Sequence, residues 1–127
     1  MGLGAWVAVG AGAAMGAWLR WGLGLMLNST FPILPLGTLA ANLIGGYVMG
    51  LVMGIFAVTT SVSPEMRLFA TTGFLGGLTT FSAFSAEAVT LMMRAQYGWA
   101  ISHVLVHVIG SLAMTALGMM TIQMIKN

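Results

Sequence analysis

The sequence predicts an all-α integral membrane fold of four transmembrane helices, the third broken near its middle. Three observations carry that prediction. The 127 residues are 59% hydrophobic and only 5% charged, apolar runs of spanning length occur four times, and the third run is too long and too rich in glycine for one regular helix. A soluble domain normally carries about 25% charged residues, so most of this surface must be solvated by lipid. A helical span takes ~20 apolar residues, which allows four or at most five crossings and no soluble domain. One membrane domain, residues 1–127, is expected.

Residues 3–27 are apolar apart from Arg20. The start, MGLGAWVAVG, has no basic segment and runs straight into a full-length span, so it reads as the first helix rather than a cleaved signal. In NSTFPILPLG, Pro32 and Pro35 disfavour helix and predict a loop over residues 28–36. Residues 37–60 form the second span. It closes at TTSVSPEMR, where Pro64 suits the first turn of a new helix and Ser63 suits its cap. The third run, 66–95, would be ~45 Å long as an unbroken helix against a ~30 Å hydrocarbon core, so it must tilt, overhang or break. Residues 98–125 make the fourth span, which puts both termini on one side of the membrane.

The basic residues are Arg20, Arg67, Arg94 and Lys126, too few for a nucleic-acid surface. They also divide evenly between the two faces, so basic-residue bias fixes no single orientation. A chain that inserts both ways can form an antiparallel dimer, which gains by association the inverted symmetry many transporters carry within one chain. The absence of cysteine removes disulfides and thiolate metal sites. No nucleophile, histidine and acid set, metal-ligand cluster or nucleotide loop is evident in the sequence to point to an enzyme, and GFLGG lacks the lysine of a phosphate loop.

The polar residues are arranged in stripes. Within TTGFLGGLTTFSAFSAE, Gly73, Gly76 and Gly77 precede Thr79 and Thr80. Small residues let membrane helices approach closely, but glycine also weakens a helix, and a break there would free carbonyls to coordinate a cation. Phe81 and Phe84 share a helix face, and Ser82 and Ser85 repeat the offset beside them. Packing alone would explain the phenylalanines, although their weakly positive ring edges can face a desolvated anion. His103, His107, Ser111 and Thr115 form a polar line through the fourth span, which reads as a water or ion path. Thr38 and Asn42 lie four apart in the second span, where Asn42 should face the protein interior. Gly46, Gly50 and Gly54 make a small-residue ridge best explained by packing. Arg20, between Trp18 and Trp21, reads as a snorkelling arginine in an interfacial belt, or as a charge that draws anions to an entrance. Glu87 is the only acid within a span; a hydrogen-bonding role suits it as well as one in transport.

Together GTLAANLIGG, GFLGGLTTFSAFS and HVLVHVIGSLAMTALG resemble the Fluc (CrcB) fluoride channels over essentially the whole chain. The resemblance implies a passive, selective fluoride channel, an inverted homodimer with two pores, in the plasma (inner) membrane of a bacterium. It exports fluoride from the cytoplasm to relieve toxicity. It also implies roles for Phe81 and Phe84 as the aromatic box, for Asn42 as the pore amide, and for Ser82, Ser85, Ser111 and Thr115 as a hydroxyl track. His107 stands where other members carry a different polar or aromatic residue. A structural sodium ion on the dimer axis is implied at the backbone carbonyls of Gly76 and Thr79. The chain departs from the family pattern FSTFS at Ala83, where the threonine is missing.

The rival reading is a small proton-coupled multidrug exporter of four helices. Such exporters need a central acid in the first helix, where this chain has only Arg20. A structural subunit of a larger complex would fit the glycine ridges but leaves the polar stripes without a purpose. Glu87→Gln separates channel from exporter in a liposome transport assay with imposed pH gradients. Abolished transport with proton-coupled kinetics identifies the exporter; a channel shows no proton coupling in either form.

Overall fold

Long apolar runs free of interior proline form the helices; Pro35 and Pro64 fall where helices start, and Pro32 lies in the first loop. The structure is a computed structural model and describes residues 2–127. Helix α1 spans Leu3–Leu27 and α2 spans Leu36–Val58. A third helical stretch, α3, covers residues 64–78 and is α-helical over Pro64–Leu68, π-helical over Phe69–Leu75 and α-helical again over Gly76–Leu78. After two extended residues, α4 runs Phe81–Met93 and α5 runs Tyr97–Lys126. Helices α2 and α5 are each long and apolar enough to cross a membrane. At 25 residues α1 falls between them in length, whereas α4, with 13 residues, is too short to cross alone.

The ends are set by local chemistry. Ser63 accepts from Met66 N–H at 3.2 Å, with Pro64 in the first turn, as the sequence predicts. The second helix stops at Val58 rather than residue 60 because Thr59 is extended, at φ −137° and ψ 140°. Arg67 holds that end by donating to the Thr59 and Val62 carbonyls at 3.2 and 3.4 Å while lying over the Phe56 ring. At the other end of α2, Asn28 Oδ1 accepts from Gly37 N–H at 2.7 Å and ties the first loop to the helix start. Helix α4 ends at a left-handed Ala95, φ 59°, with Gln96 N–H donating to the Leu91 carbonyl at 2.9 Å.

Helices α2 and α5 run parallel: Asn42 meets His107, Gly46 meets the Ser111 carbonyl, Gly50 meets Gly118 and Gly54 meets Ile122. Helices α1 and α3 also run parallel, with Gly12 against Phe69 and Phe74, and Ala13 against Gly77. Alternating crossings, as the sequence predicts, would give the first and third, and the second and fourth, the same direction. The ridge at Gly46, Gly50 and Gly54 is thus a packing surface, as expected, and so are Gly73 and Gly77. Between the two helix pairs lie the fully buried Ala41, Leu75 and Leu78.

A Cβ at Gly118 would sit 2.8 Å from Leu51 N and 2.9 Å from Gly50 Cα, both backbone atoms that cannot swing aside. Gly118→Val should therefore destabilise the protein by about 1–3 kcal/mol, read as a lower thermal unfolding midpoint in detergent. Gly22 faces open space, and Gly22→Ala should leave the midpoint unchanged or raise it.

Candidate functional site

The break between α3 and α4 organises the site. Thr79 and Thr80 are both extended, at φ −84°, ψ 156° and φ −150°, ψ 117°. The glycines do not form the break: Gly73, Gly76 and Gly77 remain helical, and the chain opens only at the two β-branched threonines after them. Thr80 then caps α4, its hydroxyl accepting from Ala83 N–H at 3.0 Å. The remaining polar groups of Thr80 are held by Asn42, whose Oδ1 accepts from Thr80 N–H at 2.8 Å and whose Nδ2 donates to the Thr80 carbonyl at 3.1 Å. These two bonds fix the orientation of the amide. The same Nδ2 lies 3.1 Å from His107 Nδ1 and must donate to it. In the neutral ring, His107 Nδ1 is therefore the acceptor and Nε2 carries the proton. That Nε2 is buried and has no partner.

A cavity of about 470 Å³ lies beside the break and is lined by Asn42, Phe81, Phe84, His107, Ser111 and Thr115, with Gly76, Thr79 and Thr80 on its wall. Six of the eight residues expected along an ion path are thus brought together. Ser82 and Ser85 are not among those lining it; the Ser82 hydroxyl instead pairs with that of Thr80 at 3.3 Å. The Phe81 and Phe84 rings tilt against each other with centroids 5.5 Å apart, and Phe84 also packs on His103 and His107 at 5.2 and 4.7 Å. The Thr115 hydroxyl donates to its own helix at the Ser111 carbonyl, 3.0 Å away. No carboxylate lines this cavity among the described residues.

A second cavity, about 340 Å³, is lined by Arg20, Thr38, Thr80, Ala83 and Glu87 among others. Arg20 corrects the expectation of a purely interfacial side chain. Trp18 and Trp21 are well exposed, as a belt requires, but the half-buried Arg20 turns inward and donates from Nε to the Gly77 carbonyl at 3.0 Å. The reason is that the break deprives this carbonyl of its helical partner. Thr38 donates to Glu87 Oε2 at 2.6 Å, so Glu87 is hydrogen-bonded, one of the two roles the sequence leaves open for it. Its Oε1 lies 3.5 Å from His103 Nε2. Spacing along one helix places His103 only as a rung of a polar line, whereas in the fold its Nε2–H donates to the Phe84 carbonyl at 3.3 Å and faces Glu87, joining α5 to α4.

The family described as "CrcB-like protein, Camphor Resistance (CrcB)" matches residues 7–119. Among similar proteins, the "Fluoride-specific ion channel FluC" of Nitrosospira multiformis is 60% identical over 123 residues, which is 97% of this chain and 96% of that protein. The proteins of the same name from Cupriavidus taiwanensis and Pseudomonas putida are 56% and 55% identical, each match covering 94% of both chains.

Asn42→Ala removes three hydrogen bonds and leaves the Thr80 backbone unpaired beside the cavity. At about 1 kcal/mol per bond the expected loss is about 2–4 kcal/mol, seen as a lower unfolding midpoint. Asn42→Gln, which keeps the amide but misplaces it, should lose a similar amount.

Proposed function

Because this chain belongs to the CrcB family, we propose that it is a passive, selective fluoride channel that lets fluoride leave the cytoplasm and so relieves its toxicity. It is a transport protein of the membrane and not an enzyme. The observation that carries the reading is the cavity at the break, lined by Asn42, His107, Ser111 and the rings of Phe81 and Phe84 with no carboxylate on the wall.

Fluoride is a small, strong hydrogen-bond acceptor, and dehydrating it demands donors that replace water. His107 Nε2–H is such a donor, already desolvated and unpaired, so no protein bond has to break to use it. The Ser111 hydroxyl stands one turn further along α5, and the phenylalanine edges offer weakly positive rims. Asn42 acts differently from a simple pore amide: both its protons are committed, to the Thr80 carbonyl and to His107, so it serves the ion by fixing which nitrogen of His107 carries a proton. Thr115 likewise has its proton engaged and contributes as shape and polarity. A carboxylate on the wall would favour cations, and Glu87 lies in the second cavity, bound to Thr38.

The working assembly in this reading is an antiparallel homodimer of multi-pass chains in the bacterial inner membrane. In the single chain Phe81 is 79% exposed, leaving one half of the aromatic pair for a partner to cover. Ser82 and Ser85, outside the cavity of one chain, would then face the path completed by the dimer. The implied sodium ion fits the residues present. Thr80 N–H, which would close a helical bond on the Gly76 carbonyl, is taken by Asn42, and Ala83 N–H, which would do so for Thr79, is taken by the Thr80 hydroxyl. The break thus frees two carbonyl oxygens of the kind a hard cation prefers. Gly76 and Thr79 from each chain would hold the ion, which when bound supplies a fixed positive charge. The exporter reading has no comparable support, since α1 offers no acid and Glu87 is engaged by α2 and α5.

Reconstituted in liposomes loaded with potassium fluoride and given a potassium ionophore, the protein should release fluoride rapidly and chloride not at all. Phe81→Ile should lower fluoride release by about tenfold or more, equivalent to about 1.4 kcal/mol of lost stabilisation. Ala83→Thr restores a hydroxyl beside the second cavity and should raise the rate. Failure of both the native chain and Ala83→Thr to pass fluoride would overturn the reading.

A further inference from the structure

Glu87, His103 and His107 come together where α4 meets α5, each offering a metal-ligating atom, with those atoms all within 4.8 Å of one another. His103 and His107 are one helical turn apart with ring centroids 4.4 Å apart, and both are almost wholly buried, at 2% and 4% exposure. Two atoms of this cluster, Glu87 Oε1 and His107 Nε2, are buried without any hydrogen-bond partner. Buried polar atoms are rarely left unpaired, and two in one cluster mark a place prepared for something else.

We propose that these three residues form a binding site for a divalent transition metal of the zinc class, and that its occupancy blocks the ion path. Two imidazoles and one carboxylate are the donors that suit zinc, whereas sodium or magnesium would seek oxygen alone. Zinc bonds of about 2.0–2.2 Å require neighbouring ligand atoms near 3.4 Å apart. The 3.5 Å between His103 Nε2 and Glu87 Oε1 meets this once His103 Nε2 gives up the proton it donates to the Phe84 carbonyl, 3.3 Å away, and the His107 ligand atom, within 4.8 Å of both, must draw closer. Phe84, stacked over His103 and close to His107, shields one side from solvent.

The blocking follows from the same atoms. A neutral imidazole has one lone pair, and His107 gives its own to Asn42 at Nδ1. A metal ion must take that lone pair, directly or after the ring proton moves to Nδ1; either way Asn42 loses its bond to His107. When Nε2 is the ligand, no Nε2–H is left to offer fluoride. The site also stands between the two cavities, with His107 and Phe84 lining one and Glu87 the other. Approach through the first cavity meets no charged side chain, whereas Arg20 stands in the second. Binding of the metal depends only on these residues; its effect on flux rests on the fluoride-channel reading.

The test is isothermal titration of the purified, untagged full chain in detergent with Zn²⁺, against Mg²⁺ as control, followed by zinc K-edge absorption of the loaded wild type. The expected result is one zinc per chain with nitrogen and oxygen neighbours and no Mg²⁺ uptake. Glu87→Gln, His103→Gln and His107→Gln, each confirmed to elute as the wild type does, should weaken binding by more than the ~10–100-fold typical of losing an outer-sphere partner. Micromolar Zn²⁺ should then arrest fluoride release from liposomes carrying wild type, and EDTA should restore it. No zinc uptake by the wild type, or uptake that survives all three substitutions, overturns the site. Stoichiometric binding with undiminished fluoride release overturns the blocking. Absence of fluoride release before zinc is added counts against the channel reading and leaves the titration to decide the site.

Discussion

A helix broken at membrane depth survives only where protein groups replace the backbone hydrogen bonds that the break forfeits, because hydrocarbon offers none. Here that work falls on one side chain. Asn42, on α2, supplies both an acceptor and a donor to the Thr80 backbone and still reaches His107 on α5. Three helical elements are thereby held at one point. Because Thr80 N–H is bonded to Asn42 rather than to the chain behind it, the carbonyls before the break are left free. One of these, Gly77, captures Arg20. The turn of α4 that follows can then present Phe81 and Phe84 to the cavity.

The glycines serve this arrangement by controlling distance. Gly50 against Gly118 and Gly12 against the π-helical turns of α3 bring backbones together where any Cβ would collide, so the helix pairs have little freedom to slide. In lipid there is no hydrophobic force to press helices together, and close van der Waals contact must do so. A π-helical stretch within α3 accompanies these contacts; such irregular turns are common near functional sites. Rigid pairs on either side then leave the polar side chains between them with fixed neighbours.

Placed together, those side chains are nearly all committed. Thr38 holds Glu87, Thr115 bonds its own helix, and Asn42 uses every hydrogen-bonding group it has. Against this background the two unpaired atoms, on His107 and Glu87, stand out. One belongs to a residue that lines the first cavity and both to the histidine–glutamate cluster. In the proposed reading, anion conduction and metal capture would compete for a single imidazole, in which a proton on Nε2 serves the anion and a lone pair serves the metal.

Sequence alone determined the membrane class, the four apolar stretches, the cap at Ser63 and Pro64, and the inward stripe of His103, His107, Ser111 and Thr115, since each depends on composition or on spacing along one helix. The need for a break was legible too, from a run longer than a bilayer is thick. Its segment, TTGFLGGLTT, was legible as well, but the residues that open were not: the glycines signalled weakness, yet the chain opens at Thr79 and Thr80, where Asn42, 38 residues upstream, receives Thr80. Likewise, Arg20 carried every mark of an interfacial residue until a forfeited carbonyl on another helix drew it inward. The grouping of Glu87 with two histidines, and the choice of which nitrogen of His107 carries a proton, were decided only by tertiary structure, because both depend on partners that lie on different helices.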